Sequence, residues 1–192
     1  MKSSEQCDKS SSAACDWVHC KKSVTLVSTP MAPKNGERWK MPPLVKIYEA
    51  FGALGDGRVQ LEDERHASVL SSDRSKTYQV EISEDGREIS SNDNASYWQG
   101  YLGYPGVAVM LKRGLYPVRA EVINALSGIS WNELNRRFRN DYSRTIEEVM
   151  QRAEKRGFDS KMIAAEAEAM LSKLGEFAPL RGSRRRPARP IR

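Results

Sequence analysis

The spacing of apolar residues changes along this chain, and each change predicts a different element. From residue 44, Leu44, Ile47, Tyr48, Phe51 and Leu54 recur at three-four spacing, which predicts an amphipathic helix entered at Pro42-Pro43 and stopped at Gly55. After Asp56-Gly57 alternation takes over. Short strands are predicted over 58–61, 67–70, 77–82 and 87–90, the third with Tyr78, Val80 and Ile82 on one face, and with turns at Ser72-Asp73-Arg74 and Glu84-Asp85-Gly86. A sheet of three or four short antiparallel strands needs a helix over its apolar face. The segment 105–112 predicts that helix, with Pro105 in its first turn, Val107, Val109, Met110 and Leu111 as its apolar load, and Gly114 as its stop.

Beyond Pro117 the period is helical throughout. Val118, Val122 and Leu126 mark one helix over 118–126. Ser127-Gly128-Ile129 turns the chain, and Ser130-Trp131-Asn132-Glu133 has the spacing of a capping box opening a helix that carries Leu134 and Phe138. Two further helices are predicted over 143–156, stopped by Gly157, and 159–174, stopped by Gly175. Ile146, Val149, Met150, Met162, Ile163, Met170 and Leu171 are their core candidates. The fold class expected is α+β: a small antiparallel sheet with one covering helix over 41–116, then a helical half over 117–177. Residues 1–40, rich in Ser and Lys without an apolar period, are expected to be disordered or non-native, with Met31 and Met41 as alternative starts. Residues 178–192 are expected to form a disordered arginine-rich tail.

Charge sharpens this division. The chain has 31 Lys plus Arg against 25 Asp plus Glu, a net of +6, and the last twelve residues alone carry six arginines and no acid. The rest is neutral in sum, with seven bases against four acids in residues 1–40 and 18 against 21 in residues 41–180, so the ordered part is mildly acidic, both ends are basic, and attraction to phosphate would be local to the ends. Cys7, Cys15 and Cys20 all fall in the first twenty residues, which leaves the core without disulfides and fits a cytoplasmic setting. With His19 they number four metal donors, but their spacing matches no paired Cys-x2-Cys zinc pattern, and no metal or cofactor is expected. The longest aliphatic run, Val107 to Leu111, is far shorter than the roughly 20 residues of a membrane span, so no membrane is expected.

Chemistry concentrates in the elbow at 90–104. Asn92, Asp93, Asn94 and Ser96 stand there beside Tyr97, Trp98, Tyr101 and Tyr104, with Gly100, Gly103 and Gly106 between and after the aromatics. Such a mixture makes a stacking platform for a base or a partner's ring, worth roughly 1–3 kcal/mol per stacked base. The competing reading is that the rings are buried and their polar tips bond the loop backbone.

The hairpin with Tyr78-x-Val80, the polar cluster after its second strand, and a helix beginning Gly103-x-x-Gly106-Val107-Ala108-Val109-Met110-Leu111 resemble the SWIM zinc finger, a ββα module, over about 67–112. In that family Cys-x-Cys closes the hairpin and Cys-x-His precedes the helix. Here the latter two positions fall on Gly103 and Pro105 and the former within 90–93, so no ligand is retained. The resemblance then implies a zinc-less module whose elbow is held by Ser91, Asn92 and Asp93, and it implies nucleic-acid or protein binding.

Two basic features point to nucleic acid as well. Helices at 118–126 and 131–139 around Gly128 have helix-turn-helix spacing, with Arg136, Arg137 and Arg139 on the second, although Glu133 and Asp141 flank them. The tail arginines Arg181, Arg184, Arg185, Arg186, Arg189 and Arg192, kept extended by Pro187 and Pro190, bind phosphates without reading bases. For catalysis the inventory is thin. His19 and His66 lie outside the elbow, and Glu62/Glu64 and Glu147/Glu148 are neighbouring acids rather than converging ones. The sequence thus predicts a non-enzymatic protein that binds RNA or DNA through its tail and elbow. The alternative is a protein partner docking on Tyr97, Trp98 and Tyr101; an enzyme using Asp93 and its tyrosine neighbours on a small molecule ranks third.

Overall fold

The computed structural model describes residues 36–183 and 185–191, all within the unit Lys34–Arg192. The expectations for Cys7, Cys15, His19 and Cys20, and for Arg184 and Arg192, lie outside the described residues. Helix α1, Val45–Gly55, is followed by strands β1 (Val59–Leu61), β2 (His66–Leu70), β3 (Thr77–Ile82) and β4 (Glu88–Ser91). The elbow carries a π-helical turn, Ala95–Gln99. Then come α2 (Tyr104–Lys112), α3 (Ala120–Ala125), α4 (Trp131–Arg137), α5 (Tyr142–Lys155), α6 (Ser160–Phe177) and β5 (Leu180–Arg181). The α+β class holds, in a five-stranded sheet of order β1-β2-β3-β4-β5.

Strands β1 to β4 form an antiparallel meander whose register places Ala67 opposite Val80 and Ile82 opposite Ile89. These residues are buried with Val59 and Val69, as alternation requires of a sheet with one covered face. Helix α2 covers that face with Val107, Met110 and Leu111, and α1 packs against α2. Eight of the nine positions from Val45 to Ala53 are buried, all but Lys46, because α3, α5 and α6 also pack around α1. Among the described residues no helix is long and apolar enough to cross a membrane.

Three local expectations are corrected. The capping box does not form, since Ser130 makes no side-chain cap; the first turn of α4 is satisfied from outside, the Asn132 amide donating to Ser72 Oγ at 2.9 Å. Gly175 does not stop α6, which continues to Phe177 and ends where Ala178 takes a left-handed φ of 46°. Phe177 is held on the helix by an edge-to-face contact with Tyr116 at 6.1 Å and by the Arg87 guanidinium over its ring.

The arginine tail is also not free where it is described. Leu180–Arg181 pairs in parallel with β4, and the Gly182 amide donates to the Ile89 carbonyl at 2.9 Å. Farther on, the Ala188 amide donates to the Asn92 carbonyl and that of Ile191 to the Ser75 carbonyl. Two arginines are drawn to acids along this path, Arg181 to Glu37 at 2.8 Å and Arg185 to Glu81. An otherwise unpaired edge of β4 supplies the physical reason, because its backbone groups need partners that the tail's extended chain can give.

The β2–β3 turn is tied to α4 through Asp73. Its carboxylate accepts from Ser71 Oγ (2.6 Å), Ser75 Oγ (2.8 Å) and the Ser75 amide (3.1 Å), and from Asn132 Nδ2. The Ser71 bond, then those from Ser75 and Asn132, hold its pKa well below the usual carboxylate range. A depressed folded pKa stabilises the fold fully above the unfolded value of about 3.9, and that contribution is lost as pH falls toward the lower folded value. Asp73→Asn should therefore flatten the acid limb of the stability–pH profile between about pH 4 and the acid end. A variant profile superimposable on the parent's there would remove Asp73 as the acid-sensitive tie.

Candidate functional site

A cleft of about 670 Å3 opens between α1, the β2–β3 turn, the elbow and α4. Its wall on α1 is charged: Glu49 is only 3% exposed, accepts from Lys46 Nζ at 2.7 and 2.9 Å, and accepts from Asn135 Nδ2 at 2.9 Å. Lys46 Nζ also stands 5.2 Å from the centre of the Tyr142 ring. The spacing of Lys46 and Glu49, one turn apart, places both on the one polar stripe of a helix that is otherwise packed on all sides.

Arg58, 4% exposed, enters from the turn into β1. Its Nε donates to Asp56 at 3.0 Å and its Nη1 to the Leu70 carbonyl at 2.8 Å, and its guanidinium lies 5.9 Å from the Tyr104 ring. Its Nη2 is buried with no partner in the protein. Two more cleft residues present buried polar atoms without partners, Trp131 Nε1 and Asn135 Oδ1, both from α4. The only other such side-chain atom among the described residues is Arg185 Nε, away from the cleft lining. Buried polar groups are ordinarily satisfied, because leaving one unpaired costs roughly 1–3 kcal/mol, so three such atoms in residues of one cleft lining set this region apart.

The elbow supplies the opposite wall. Asp93, 4% exposed, is its hub: Oδ2 accepts from Ser91 Oγ (2.7 Å) and Ser96 Oγ (2.6 Å), and Oδ1 from the Ala95 and Ser96 amides (2.9 and 3.0 Å). Ser96 Oγ in turn accepts from the Gly103 amide at 3.0 Å. This network winds the π turn and presents Asn94, Trp98 and Gln99 to the cleft. Trp98 stands at the rim, 68% exposed, edge-on to Tyr97 at 4.6 Å. Tyr78 and Tyr104 meet edge to face at 6.0 Å deeper in.

The phenols are held protonated. Burial, and next the Asp93 charge, push Tyr78 up to about 12; burial and Tyr78 raise Tyr104 well above its ordinary value. Burial, then Tyr142, to which it is hydrogen-bonded, raises Tyr101 as well. The cleft therefore offers neutral hydroxyls across the physiological range.

Of the residues singled out in the sequence, Asp93, Asn94, Trp98, Tyr101 and Tyr104 come together in this cleft. Asn92 does not line it: its Oδ1 accepts from the Gln79 amide at 2.8 Å and its carbonyl from Ala188, so it ties β3, β4 and the tail together. Tyr97 packs behind Trp98. Arg136, Arg137 and Arg139 are exposed and lie outside the cleft, Arg137 over the Phe138 ring and Arg139 left-handed at φ 53°, where α4 has already ended. Lys46, Glu49, Arg58, Tyr78, Trp131, Asn132 and Asn135 escape the sequence reading. One signal was present for two of them, the charged pair Lys46 and Glu49 inside the apolar run of α1.

No curated protein and no solved structure matches this chain. The segment from Trp39 to Pro179, which holds the whole cleft, does match a family model, and on that match the chain belongs to the family described as Uncharacterised conserved protein UCP014422, over residues 39–179.

Proposed function

We propose that this protein binds a small polar molecule in the cleft between α1, the elbow and α4, without turning it over, in the cytoplasm. The observation that carries the reading is an opening of about 670 Å3 lined by charged, amide and phenol side chains, three of whose residues, Arg58, Trp131 and Asn135, each keep one polar atom buried without a partner beneath its surface. That volume falls in the range of about 300–1,000 Å3 typical of small-molecule sites. Binding is favoured over catalysis because both buried acids of the cleft are engaged, Glu49 by Lys46 and Asn135, and Asp93 by four donors. The hydroxyls beside Asp93, those of Ser91 and Ser96, are not in the cleft lining, so neither is presented to a ligand as a nucleophile.

Nucleic-acid binding is the second reading, and it rests on Arg186 and Arg189, which are exposed in the tail. A zinc-less SWIM-like origin for β3, β4 and α2 is part of that reading, supported by the order hairpin, elbow, helix.

One experiment separates the two. The indole N–H resonances of the intact protein are followed while it is mixed with a protein-free small-molecule extract of cells, and separately with RNA and duplex DNA. The expected result is that the extract moves the Trp131 and Trp98 signals, equally in the parent and in Arg186→Ala/Arg189→Ala. If both signals ignore the extract while nucleic acid binds, and the double variant loses that binding along with about two units of its salt slope, the cleft reading fails and the tail reading replaces it.

A further inference from the structure

Resting on the cleft as a ligand site, we infer that its occupant is an uncharged, hydroxyl-rich molecule of sugar chemistry, of disaccharide size. Three independent features of the wall carry this. The first is charge. Each cation comes with its own carboxylate, Lys46 with Glu49 at 2.7 Å and Arg58 with Asp56 at 3.0 Å. An entering phosphate or carboxylate would find no unmatched cation and would come close to the Glu49 and Asp93 carboxylates, which repel it. An entering ammonium would meet Lys46 and Arg58 in the same way.

The second is the mixture of hydrogen-bonding roles. Four side-chain amides line the cleft, Asn94, Gln99, Asn132 and Asn135, and each carries donor and acceptor atoms in one plane, Asn132 with its amide nitrogen also on Asp73. A ligand that answers these amides must itself both donate and accept at closely spaced points, which adjacent hydroxyl groups do. Planar forks such as guanidinium, carboxylate and primary amide bind two neighbouring oxygens at once, as a vicinal diol presents them.

The third is the arrangement of the rings. A nucleobase is best held flat between parallel aromatic faces, but the ring pairs here cross at steep angles, Tyr78 with Tyr104 at 88° and Tyr97 with Trp98 at 80°. Trp98 is left 68% exposed at the rim, an uncovered apolar surface that the C–H face of a sugar ring would cover.

The test uses the intact chain, titrated by calorimetry and tryptophan fluorescence with maltose, cellobiose, lactose, trehalose and chitobiose, and with adenosine, AMP and inorganic phosphate. At least one disaccharide should bind, with the same affinity at low and high salt. Asn135→Ala, and independently Trp98→Ala at the exposed rim, should each weaken it about tenfold, whereas Arg136→Ala should not. Binding of AMP, adenosine or phosphate alone, lost in Asn135→Ala, overturns the sugar assignment and leaves the cleft as the ligand site. A sugar whose binding ignores both cleft variants, or no binding by any disaccharide, also overturns it; the cleft reading itself falls only on the indole experiment above.

Discussion

Gly103→Ala is expected to yield little folded protein, although it adds one methyl group. A Cβ at 103 would sit 2.5 Å from Asp93 Cγ, and closer still to Oδ1, so the two cannot coexist. Asp93 has nowhere to retreat without giving up the Ser91 and Ser96 hydroxyls and the Ala95 and Ser96 amides, all near or below the surface of the elbow. Four donors losing one buried acceptor, at roughly 1 kcal/mol or more each, adds up to on the order of 4 kcal/mol, a large share of a domain's whole stability. Gly114→Ala is the control: a Cβ there meets nothing within 4 Å, so only the left-handed φ of 73° counts, at about 1 kcal/mol. Urea denaturation of the two variants decides it; if they are equally stable, Asp93 is not the pin of the elbow.

Ending the chain at Pro179 is expected to cost stability rather than merely remove charge. The truncation deletes β5 and with it the bonds from the Leu180 amide to the Arg87 carbonyl (2.7 Å), Arg181 to Glu37 (2.7 Å) and Gly182 to Ile89 (2.9 Å). Farther along, it removes those of Ala188 and Ile191. At about 1 kcal/mol net for each backbone bond the loss is roughly 3–5 kcal/mol, and the bared edge of β4 should promote association. A lowered urea midpoint with concentration-dependent aggregation is the expected result. An unchanged midpoint would mean that the segment lies on the sheet without holding it. The experiment also warns against using tail deletion to test phosphate binding, since it removes a strand together with the arginines; the paired substitutions at 186 and 189 avoid that.

How much was legible depends on how local the cause is. Strand β3 was read to the residue, and α1 to within one, because period alone sets which face of a strand or helix is buried. Strand β5 was not legible: two residues cannot show a period, and the cause of their extension is the unpaired edge of β4, about ninety residues away in sequence. Gly175 misled for a related reason. Glycine marks helix ends because it tolerates left-handed φ, yet here the packing of Phe177 on Tyr116 and Arg87 keeps the helix going, and Ala178 takes the strained conformation instead. The capping box does not form, and an outside residue, Ser72, takes the neighbouring Asn132 amide.

By itself the sequence determined the elements, the α+β class and the polar-aromatic character of the elbow, since these follow from side-chain spacing and backbone preference within a few residues. The tertiary structure alone decided what the elbow faces. Lys46 and Glu49, Arg58, and Asn132 and Asn135 reach the cleft from segments far apart in the chain, and only their packing leaves three polar atoms of cleft-lining residues buried without partners. No local pattern encodes that, because an unpaired donor is defined by what every other segment fails to supply.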